Sequence, residues 1–448
     1  MLSVSEAEAR AASLIDAARK AGADAADVVY AGDASTVVHV RLGELDDVQR
    51  SEGEEIGLRF FIGSRSASVS SSDLSQEALS ALVQRAAAMA GEAPEDPYAG
   101  LAPESRLLRE GGPDVDGDDG FNPAPTELKA RALAMESAAR AVPGITNSEG
   151  AGASSGRTVI ALATSDGFCR GYMTSGYSAG VSVIAGTGSD MQRDFAGHAS
   201  RHYEDLEDPE TLGLLASERA VARLNPAKLP SGTMPVIFDM RVGNSLIGHL
   251  VAAITGSAVA RKTSFLLGRE DELLFPETVT IREDPHKRRG LRSKPFDAEG
   301  IPTSPRDLIA GGRLTGWLMD SASARQLRLE PTGHATRNVG GPPSIASANV
   351  DLLPGPVSKQ ELIGDIKRGL YVTALIGQGV NPITGDYSRG ASGFIIENGE
   401  IAAPVAEITI AGNLIEMFRE LRAADDLEQR QSVNVPTLRI EGMTVAGA

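Results

Sequence analysis

Residues 27–42 read DVVYAGDASTVVHVRL, and residues 44–71 continue with ELDDVQRSEGEEIGLRFFIGSRSASVSS. In this stretch, short runs rich in β-branched and aromatic residues are separated by Gly, Asp and Ser, a pattern typical of strands joined by turns. It predicts five short strands, at residues 27–32, 35–42, 44–51, 55–62 and 65–71. Helical spacing precedes them at residues 1–22 and follows them at residues 75–90. The order of helix, meander and helix predicts an α+β unit with an antiparallel sheet.

The composition limits the kinds of protein that this sequence can encode. Its 448 residues exceed what one hydrophobic core usually serves, and 42% of them are apolar, so we expect two domains. A formal net charge of −17 disfavours nucleic acid and anionic membranes as partners, because such a field repels phosphate groups. The lone Cys169 excludes an intramolecular disulfide and a thiolate metal cluster. With no apolar run of about eighteen residues and no signal-peptide pattern, the sequence predicts a cytoplasmic protein.

The rest of the chain predicts an α+β fold throughout, with a strand-rich carboxyl half. Residues 91–126 are rich in Pro, Gly and Asp and lack periodicity, which indicates a long linker. A hairpin with its turn at residues 165–167 is expected within the second strand-rich stretch. We therefore predict two domains: an N-terminal helix and antiparallel-sheet domain over residues 1–215, and a strand-rich domain over residues 216–448.

Three local patterns raise the question of catalysis. Residues 242–258, VGNSLIGHLVAAITGSA, have helical spacing around a lone histidine, and the simplest interpretation of His249 is a half-buried, hydrogen-bonded side chain. His198 and His202 have the i,i+4 spacing of metal ligands, but the acidic residues after them favour a polar surface segment without a third ligand. The pentad GASSG at residues 152–156 matches a nucleophile elbow but precedes a strand rather than a helix, so a hairpin turn is the better explanation.

The glycine-rich stretch at residues 377–405, GQGVNPITGDYSRGASGFIIENGEIAAPV, is the most informative segment. Its first part carries side chains too polar for a core, among them Asn381, Asp386, Tyr387 and Arg389. Its second part alternates and turns at Asn398 and Gly399, as a hairpin would. Polar side chains held on strand ends are a common form of binding surface, which makes this stretch a candidate site.

Residues 369–418, which contain this stretch, closely resemble the PmbA (TldE) branch of the TldD/PmbA family. The segment MQRDF at residues 191–195, the segment at residues 236–268 and the amino-terminal meander are similar as well. The resemblance implies a subunit of a bacterial metallopeptidase built from two related chains, TldD and TldE. In the TldD branch, zinc is bound by a helix carrying His-Glu-x-x-x-His and by a cysteine near the carboxyl end. The corresponding positions in this sequence are Ile247, Gly248 and Ala252, which carry no such chemistry.

The resemblance therefore implies a non-catalytic subunit with no catalytic residue, no metal ligand and no cofactor of its own. Zinc is expected in a TldD-like partner, and the pair would act on unfolded or small peptides, including peptide-antibiotic precursors. Alone, the chain is expected to self-associate, and a homodimer is one form that this can take. The residues expected to face the substrate or the partner are His249, Asn381, Asp386, Tyr387 and Arg389.

Two alternatives to a non-catalytic subunit stay open at this point. The first is a self-sufficient metallopeptidase with non-standard ligands such as His198 and His202. The second is an adaptor protein, since members of the family were also named modulators of DNA gyrase. A metal assay separates the first alternative from the main hypothesis, and identification of the protein that co-purifies separates the second.

Overall fold

The protein is described by a computed structural model that covers residues 1–447, and its fold is α+β, as the sequence predicts. The amino-terminal half contains one antiparallel sheet of six strands in the order β3-β2-β1-β4-β5-β6. Its strands are β1 (Ala25–Arg41), β2 (Glu44–Ile62), β3 (Arg65–Ser71), β4 (Ile145–Thr164), β5 (Cys169–Ala185) and β6 (Gln192–Ser200).

The strands of this sheet are longer than the sequence predicts. The expected turn between residues 32 and 35 is absent, because Gly32 and Asp33 stay paired with both β2 and β4 and continue as one strand. The expected break between residues 51 and 55 is likewise strand interior. The prediction of five short strands was therefore wrong in number. Neighbours on both sides of β1 satisfy its backbone groups, and that pairing outweighs the local turn preference of Gly and Asp.

Four helices pack on this sheet at two separate stretches of the long strands. They are α1 (Val4–Lys20), α2 (Gln76–Glu92), α3 (Pro125–Arg140) and α4 (Pro209–Ala222). The first two cover a cluster that includes Tyr30, Leu58 and Phe60, and the other two cover a cluster that includes Val38 and Val181. Strands of this length let one sheet support two small cores. None of the helices among residues 1–447 is long and apolar enough to cross a membrane.

The carboxyl half is built around a six-stranded mixed sheet in the order β16-β15-β14-β7-β19-β17. Its strands are β7 (Gly232–Phe238), β14 (Arg368–Ile376), β15 (Asp386–Glu397), β16 (Glu400–Asn413), β17 (Arg422–Ala423) and β19 (Leu438–Ala446). An additional pairing of β16 with β19 closes the sheet on itself, because Thr409 lies opposite Ala446. The predicted hairpin turn at Asn398 and Gly399 is confirmed, and both residues have positive φ.

The remaining elements of this half are shorter. A five-stranded sheet consists of β8 (Ile281–Asp284), β9 (Arg306–Ala310), β10 (Arg313–Leu314), β13 (Asn349–Leu352) and β18 (Val433–Asn434), and a two-stranded one of β11 (Ala335–Thr336) and β12 (Ser344–Ile345). The helices are α5 (Met240–Ala253), α6 (Gly256–Ala260), α7 (Ser321–Leu327), α8 (Lys359–Gly364) and α9 (Leu414–Arg419). The two-domain division at residue 215 stays a prediction.

The predicted linker forms part of the contact between the two halves of the chain. Residues 93–124 contain only a short 3₁₀ turn, Glu104–Arg106, as regular structure. The linker is nevertheless bound, because Leu107 packs in a small apolar cluster with Phe168 and Phe296, and the Leu108 amide donates to the Gly300 carbonyl oxygen at 2.9 Å. The linker thus contacts the β4–β5 turn of the first sheet and the carboxyl half.

A buried ionic group also joins the two halves. The Asp27 carboxylate on β1 accepts hydrogen bonds from Arg59 on β2 and from Arg337 of the carboxyl half. The side chains of all three residues are at least nine-tenths buried. Burial alone would raise the pKa of Asp27, but the guanidinium groups of Arg337 and Arg59 hold it below its usual value. The carboxylate is therefore ionised and paired.

Glu299 is a second buried acid, and it gives the fold a predicted pH dependence. Its carboxylate accepts from the Ser321 amide at 2.8 Å and the Ser321 hydroxyl at 2.7 Å. Burial, together with the negative charge of Asp297, raises the pKa of Glu299 to about 7. Between its ordinary pKa and this value, the folded protein holds a proton that the unfolded chain has lost. The free energy of unfolding should therefore fall as the pH rises from 5 to 8.

Replacing Glu299 with glutamine should remove part of this fall, because the amide can still accept from Ser321 and never ionises. Between pH 5 and pH 8, the free energy of unfolding of the variant should fall by on the order of 2 kcal/mol less than that of the parent. Urea unfolding of both proteins at the two pH values measures it. The same substitution at the exposed Glu330 is the control and should leave the difference unchanged. Parallel pH profiles for the Glu299→Gln variant and the parent would contradict this prediction.

Candidate functional site

Helix α5 is the element that the sequence singles out, and the structure places it directly after the buried strand β7. Asp239 caps the helix by accepting from the Arg241 amide at 3.0 Å, and the same carboxylate accepts from the Tyr371 hydroxyl at 2.6 Å. The apolar residues recur at helical spacing, with Leu246 and Leu250 fully buried. The helix is thus fixed at its start and along one face, and its opposite face is not covered by the core.

The three positions that the family resemblance aligns with a metal-binding helix do not point to one place. The Ile247 side chain is fully buried in the core of the carboxyl half. Gly248 and Ala252 are exposed, and a Cβ atom built on Gly248 would meet nothing within 4 Å. This face of the helix is therefore an open surface of small residues with no side chain that could bind zinc.

His249 lies at the border between the buried face and this open surface. It is half-buried, and its ring stands edge-on to the Tyr387 ring, with centroids 6.2 Å apart and planes at 76°. Its buried Nε2 atom has no hydrogen-bond partner among residues 1–447, so the expected hydrogen-bonded histidine was the wrong interpretation. Burial, and then the positive charge of Arg389, lower the pKa of His249. The ring is therefore neutral near pH 7.

Tyr387 and Arg389 complete this group of polar side chains, which we call the His–Tyr–Arg cluster. Both lie on β15 and alternate with the exposed Asp386 and Ser388, so they share the opposite face of the strand. The Tyr387 hydroxyl and the Arg389 Nε are buried, and neither makes a hydrogen bond of good geometry in the described part of the chain, although the Arg389 guanidinium lies close to the Tyr387 hydroxyl. Burial raises the pKa of Tyr387 to about 12, with the nearby guanidinium of Arg389 acting in the opposite direction.

Asn381 and Asp386, which the sequence groups with these residues, have a different position in the structure. Asp386 is exposed and accepts from the Thr384 hydroxyl at 2.6 Å and the Asn413 amide at 3.2 Å. The Asn381 side chain accepts from the Ile383 amide at 3.0 Å. Both side chains therefore brace the loop between β14 and β15. The predicted set separates into a loop brace and the His–Tyr–Arg cluster.

The loop itself needs glycine where it folds back on β15. A Cβ atom on Gly379 would lie 1.8 Å from the Ser388 carbonyl oxygen, which is far inside contact distance. The Ser388 amide donates to the Gly379 carbonyl oxygen at 2.7 Å across the same close approach. The glycines of this motif thus place the strand that carries Tyr387 and Arg389.

The paired histidines form no metal site in the structure. His202 is buried, and its Nε2 lies 3.0 Å from the Asp116 carbonyl oxygen and 3.3 Å from the Asp116 carboxylate. The Nδ1 of His198 accepts from the Glu207 amide at 3.2 Å. The expectation of a polar surface segment was therefore wrong for His202, because the linker covers it. Among residues 1–447, no group of three or more His, Cys, Asp or Glu side chains could hold a metal ion.

The serine pentad is likewise not a turn. Residues 152–156 lie inside β4 and pair with β1 on one side and β5 on the other, so the hairpin-turn interpretation was wrong. Ser154 is bonded to Ser178 on the neighbouring strand at 2.7 Å. Unbroken strand on both sides of the pentad leaves no strand-to-helix turn, which a nucleophile elbow requires.

One buried chain of side chains has the connectivity of a catalytic triad, and the sequence did not bring it together. Thr332 contacts His334 at 2.7 Å, and His334 contacts Glu283 at 2.6 Å. The Thr332 hydroxyl also accepts from the Met319 amide at 2.7 Å, and Glu283 accepts from the Ala348 amide. These bonds commit the hydroxyl to the backbone, and we interpret the group as a structural brace.

Comparison with known proteins agrees with the resemblance found in the sequence. Family models of PmbA/TldA metallopeptidases match three consecutive parts of the chain: domain 1 at residues 26–90, the central domain at 118–224 and the C-terminal domain at 231–447. "Metalloprotease PmbA" of Escherichia coli O157:H7 is 40% identical over 429 residues, which cover 95% of this chain and 92% of that protein.

Solved structures show the same fold. A candidate modulator of DNA gyrase from Bacteroides thetaiotaomicron superposes with a TM-score of 0.90 at 26% identity and covers 99% of both chains. TldE from Thermococcus kodakarensis superposes with a TM-score of 0.87 at 22% identity, covering 98% of this chain and 100% of that one. At that identity, the second similarity bears on the fold alone.

Proposed function

Because the chain belongs to the TldD/PmbA metallopeptidase family, in its PmbA branch, we propose that it is the non-catalytic subunit of a cytoplasmic two-chain peptidase. In this proposal, a TldD-like partner binds the zinc ion and cleaves the substrate. The present chain contributes walls of the enclosed site and holds peptides that are unfolded or small. Peptide-antibiotic precursors are among the proposed substrates.

The observation that carries the proposal is the surface of α5. Metal-assisted hydrolysis needs about three protein ligands and a base for the bound water. The positions that correspond to the ligands and base in the TldD branch are a core isoleucine, Ile247, and the exposed Gly248 and Ala252. Residues 240–253 form a helix whose corresponding positions carry no metal-binding chemistry, which is the pattern expected of a subunit that pairs with a catalytic relative.

The self-sufficient metallopeptidase draws no support from the residues on which it depends. His198 accepts a hydrogen bond from a backbone amide, and His202 contacts Asp116. Among residues 1–447 the two histidines belong to no group of side chains that could hold a metal ion. The gyrase-modulating adaptor is suggested by the name of the similar protein from Bacteroides thetaiotaomicron, and within this chain only the acidic charge bears on it. We therefore keep the two-chain peptidase as the proposed function.

The first test of this proposal is assembly. Expressed alone, the chain should self-associate, through the surface that otherwise binds its partner. Mixed with a TldD-like catalytic chain, it should give a mixed complex whose light-scattering mass replaces the masses of the separate proteins. A mixture of the chain with purified gyrase serves as the comparison. If the TldD-like mixture keeps its separate masses while the gyrase mixture forms a complex, the adaptor hypothesis takes the place of this proposal.

A further inference from the structure

We propose that the His–Tyr–Arg cluster, His249, Tyr387 and Arg389, binds a carboxylate group of a peptide. This inference deepens the proposed function and rests on it only for the identity of the ligand as a peptide. The site is formed by two elements, α5 and β15, whose positions are fixed by the core of the carboxyl half. Its three residues come from distant parts of the sequence and meet only in the folded chain.

The first argument is that three buried polar atoms in one place make no hydrogen bond of good geometry within residues 1–447. They are the His249 Nε2, the Tyr387 hydroxyl and the Arg389 Nε. A buried polar atom without a hydrogen bond costs about 1–3 kcal/mol, so native proteins contain few of them. Tyr387 is 1% exposed, whereas His249 and Arg389 are partly exposed, so a ligand would reach the cluster through these two side chains. Three such atoms together indicate a site that is completed by something outside this chain.

The second argument is the sign of the charge. Arg389 forms no salt bridge within residues 1–447, although the chain carries 60 acidic and 43 basic residues. Arg223 and Arg241 are each paired with the buried Asp194, at 3.3 and 3.2 Å. Arg201 and Arg325 also lack a salt bridge among residues 1–447, but they donate hydrogen bonds to backbone carbonyl oxygens. A half-buried guanidinium left unpaired in an acidic protein is complementary to an anion that the protein itself does not supply.

The third argument is the kind of hydrogen-bonding group present. The guanidinium can only donate, the tyrosine hydroxyl keeps its proton because burial raises its pKa, and the neutral imidazole can donate through Nε2. A carboxylate offers two oxygen atoms as acceptors and suits the fork of an arginine. Beside His249, Gly248 and Ala252 are exposed, and a Cβ atom built on Gly248 would meet nothing within 4 Å, so the surface of α5 next to the cluster is open.

The carboxylate of a peptide has two sources, its carboxyl terminus or an Asp or Glu side chain, and three probes distinguish them. They are acetyl-Ala-Ala-Ala with a free carboxyl end, the same peptide as its amide, and acetyl-Ala-Asp-Ala amide. Each is titrated into the full chain while the imidazole signals of His249 are followed by NMR. These signals are assigned by their loss in a His249→Gln variant, which is practical because the sequence contains six histidines.

We expect saturable shifts with the free-carboxylate peptide and none with its amide. Binding of the aspartate probe as well would extend the site to acidic side chains. If the aspartate probe does not bind, the site is assigned to the carboxyl terminus. Either result supports the proposal. Equal binding of the neutral amide, or no binding of either carboxylate probe, would overturn it. The assay uses the single chain and no cleavage, so its outcome is independent of whether a catalytic partner is found.

Matched variants locate the binding. Arg389→Gln should weaken the affinity for whichever carboxylate probe binds the parent by at least about tenfold, since it removes a charge-assisted hydrogen bond. Arg368→Gln changes the charge by the same amount on the exposed start of β14 and should leave the affinity unchanged. Thermal unfolding of each variant checks that it is folded. Arg389→Lys serves as a second test, because it keeps the positive charge and loses the planar guanidinium that binds both carboxylate oxygens. Unchanged affinity in a folded Arg389→Gln variant would contradict the assignment.

Discussion

Replacing Asp27 with alanine is expected to lower the free energy of unfolding by about 3–5 kcal/mol, a large part of the stability of an ordinary domain. The substitution leaves Arg59 and Arg337 buried without their common counter-charge. A buried cation without a partner is far more costly than the salt bridge was favourable. Because Arg337 belongs to the carboxyl half, the loss should also loosen the contact between the two halves of the chain.

Denaturant unfolding of the variant and the parent measures this loss. Alanine at the exposed Asp46 on β2 is the matched control and should change stability by less than about 0.5 kcal/mol. The pKa of Asp27 is held below its usual value, so its contribution is present above that usual value and is lost as the pH falls through the lowered one. A loss below about 1 kcal/mol near pH 7 would show that the three side chains are not a coupled buried group.

The sequence predicts the fold class because its strongest signals are local. The helix at residues 75–90, the α5 helix and the hairpin turn at residues 398–399 all depend on the spacing or turn preference of neighbouring residues, and the structure confirms them. The lengths of β1, β2 and β4 could not be predicted in the same way. Pairing with strands on both sides keeps their Gly- and Ser-rich middles extended, and that pairing is invisible to a local pattern.

Contacts between distant residues account for most of the other differences. Asp27 and Arg337 are separated by 310 positions, and no periodicity in the sequence associates them. The burial of His202 depends on Asp116 in the linker, which the sequence describes only as irregular. The pairing of β16 with β19 is likewise a property of the assembled carboxyl half.

The candidate site shows the same division. The sequence names His249, Tyr387 and Arg389 from two separate motifs, and only the fold shows that they lie together. Strand alternation could have separated Asp386 from Tyr387 and Arg389, because neighbouring residues of a strand point to opposite faces. The missing hydrogen-bond partners could not be predicted at all, since the sequence does not show which polar groups find a hydrogen-bond partner in the folded chain.

The second large effect that we expect is the dependence of peptide cleavage on a catalytic partner. The single chain should retain no stoichiometric zinc and should cleave no peptide, because α5 offers Ile247, Gly248 and Ala252 in place of ligands and base. Restoring the sequence by Ile247→His, Gly248→Glu and Ala252→His should still give no activity. The side chain of residue 247 lies in the core, and the one cysteine of the sequence, Cys169, belongs to the amino-terminal half, so the carboxyl half supplies no thiolate to complete a site.

Metal content measured beside peptide cleavage tests the non-catalytic role most directly. Elemental analysis and a cleavage assay are run on the single chain, on a TldD-like chain and on their mixture. We expect zinc below stoichiometric amounts and background cleavage in the single chain, with cleavage in the mixture higher by at least about a thousandfold. One tightly held zinc ion per single chain, together with chelator-sensitive cleavage that is lost in His198→Ala or His202→Ala, would contradict the account and establish an independent hydrolase.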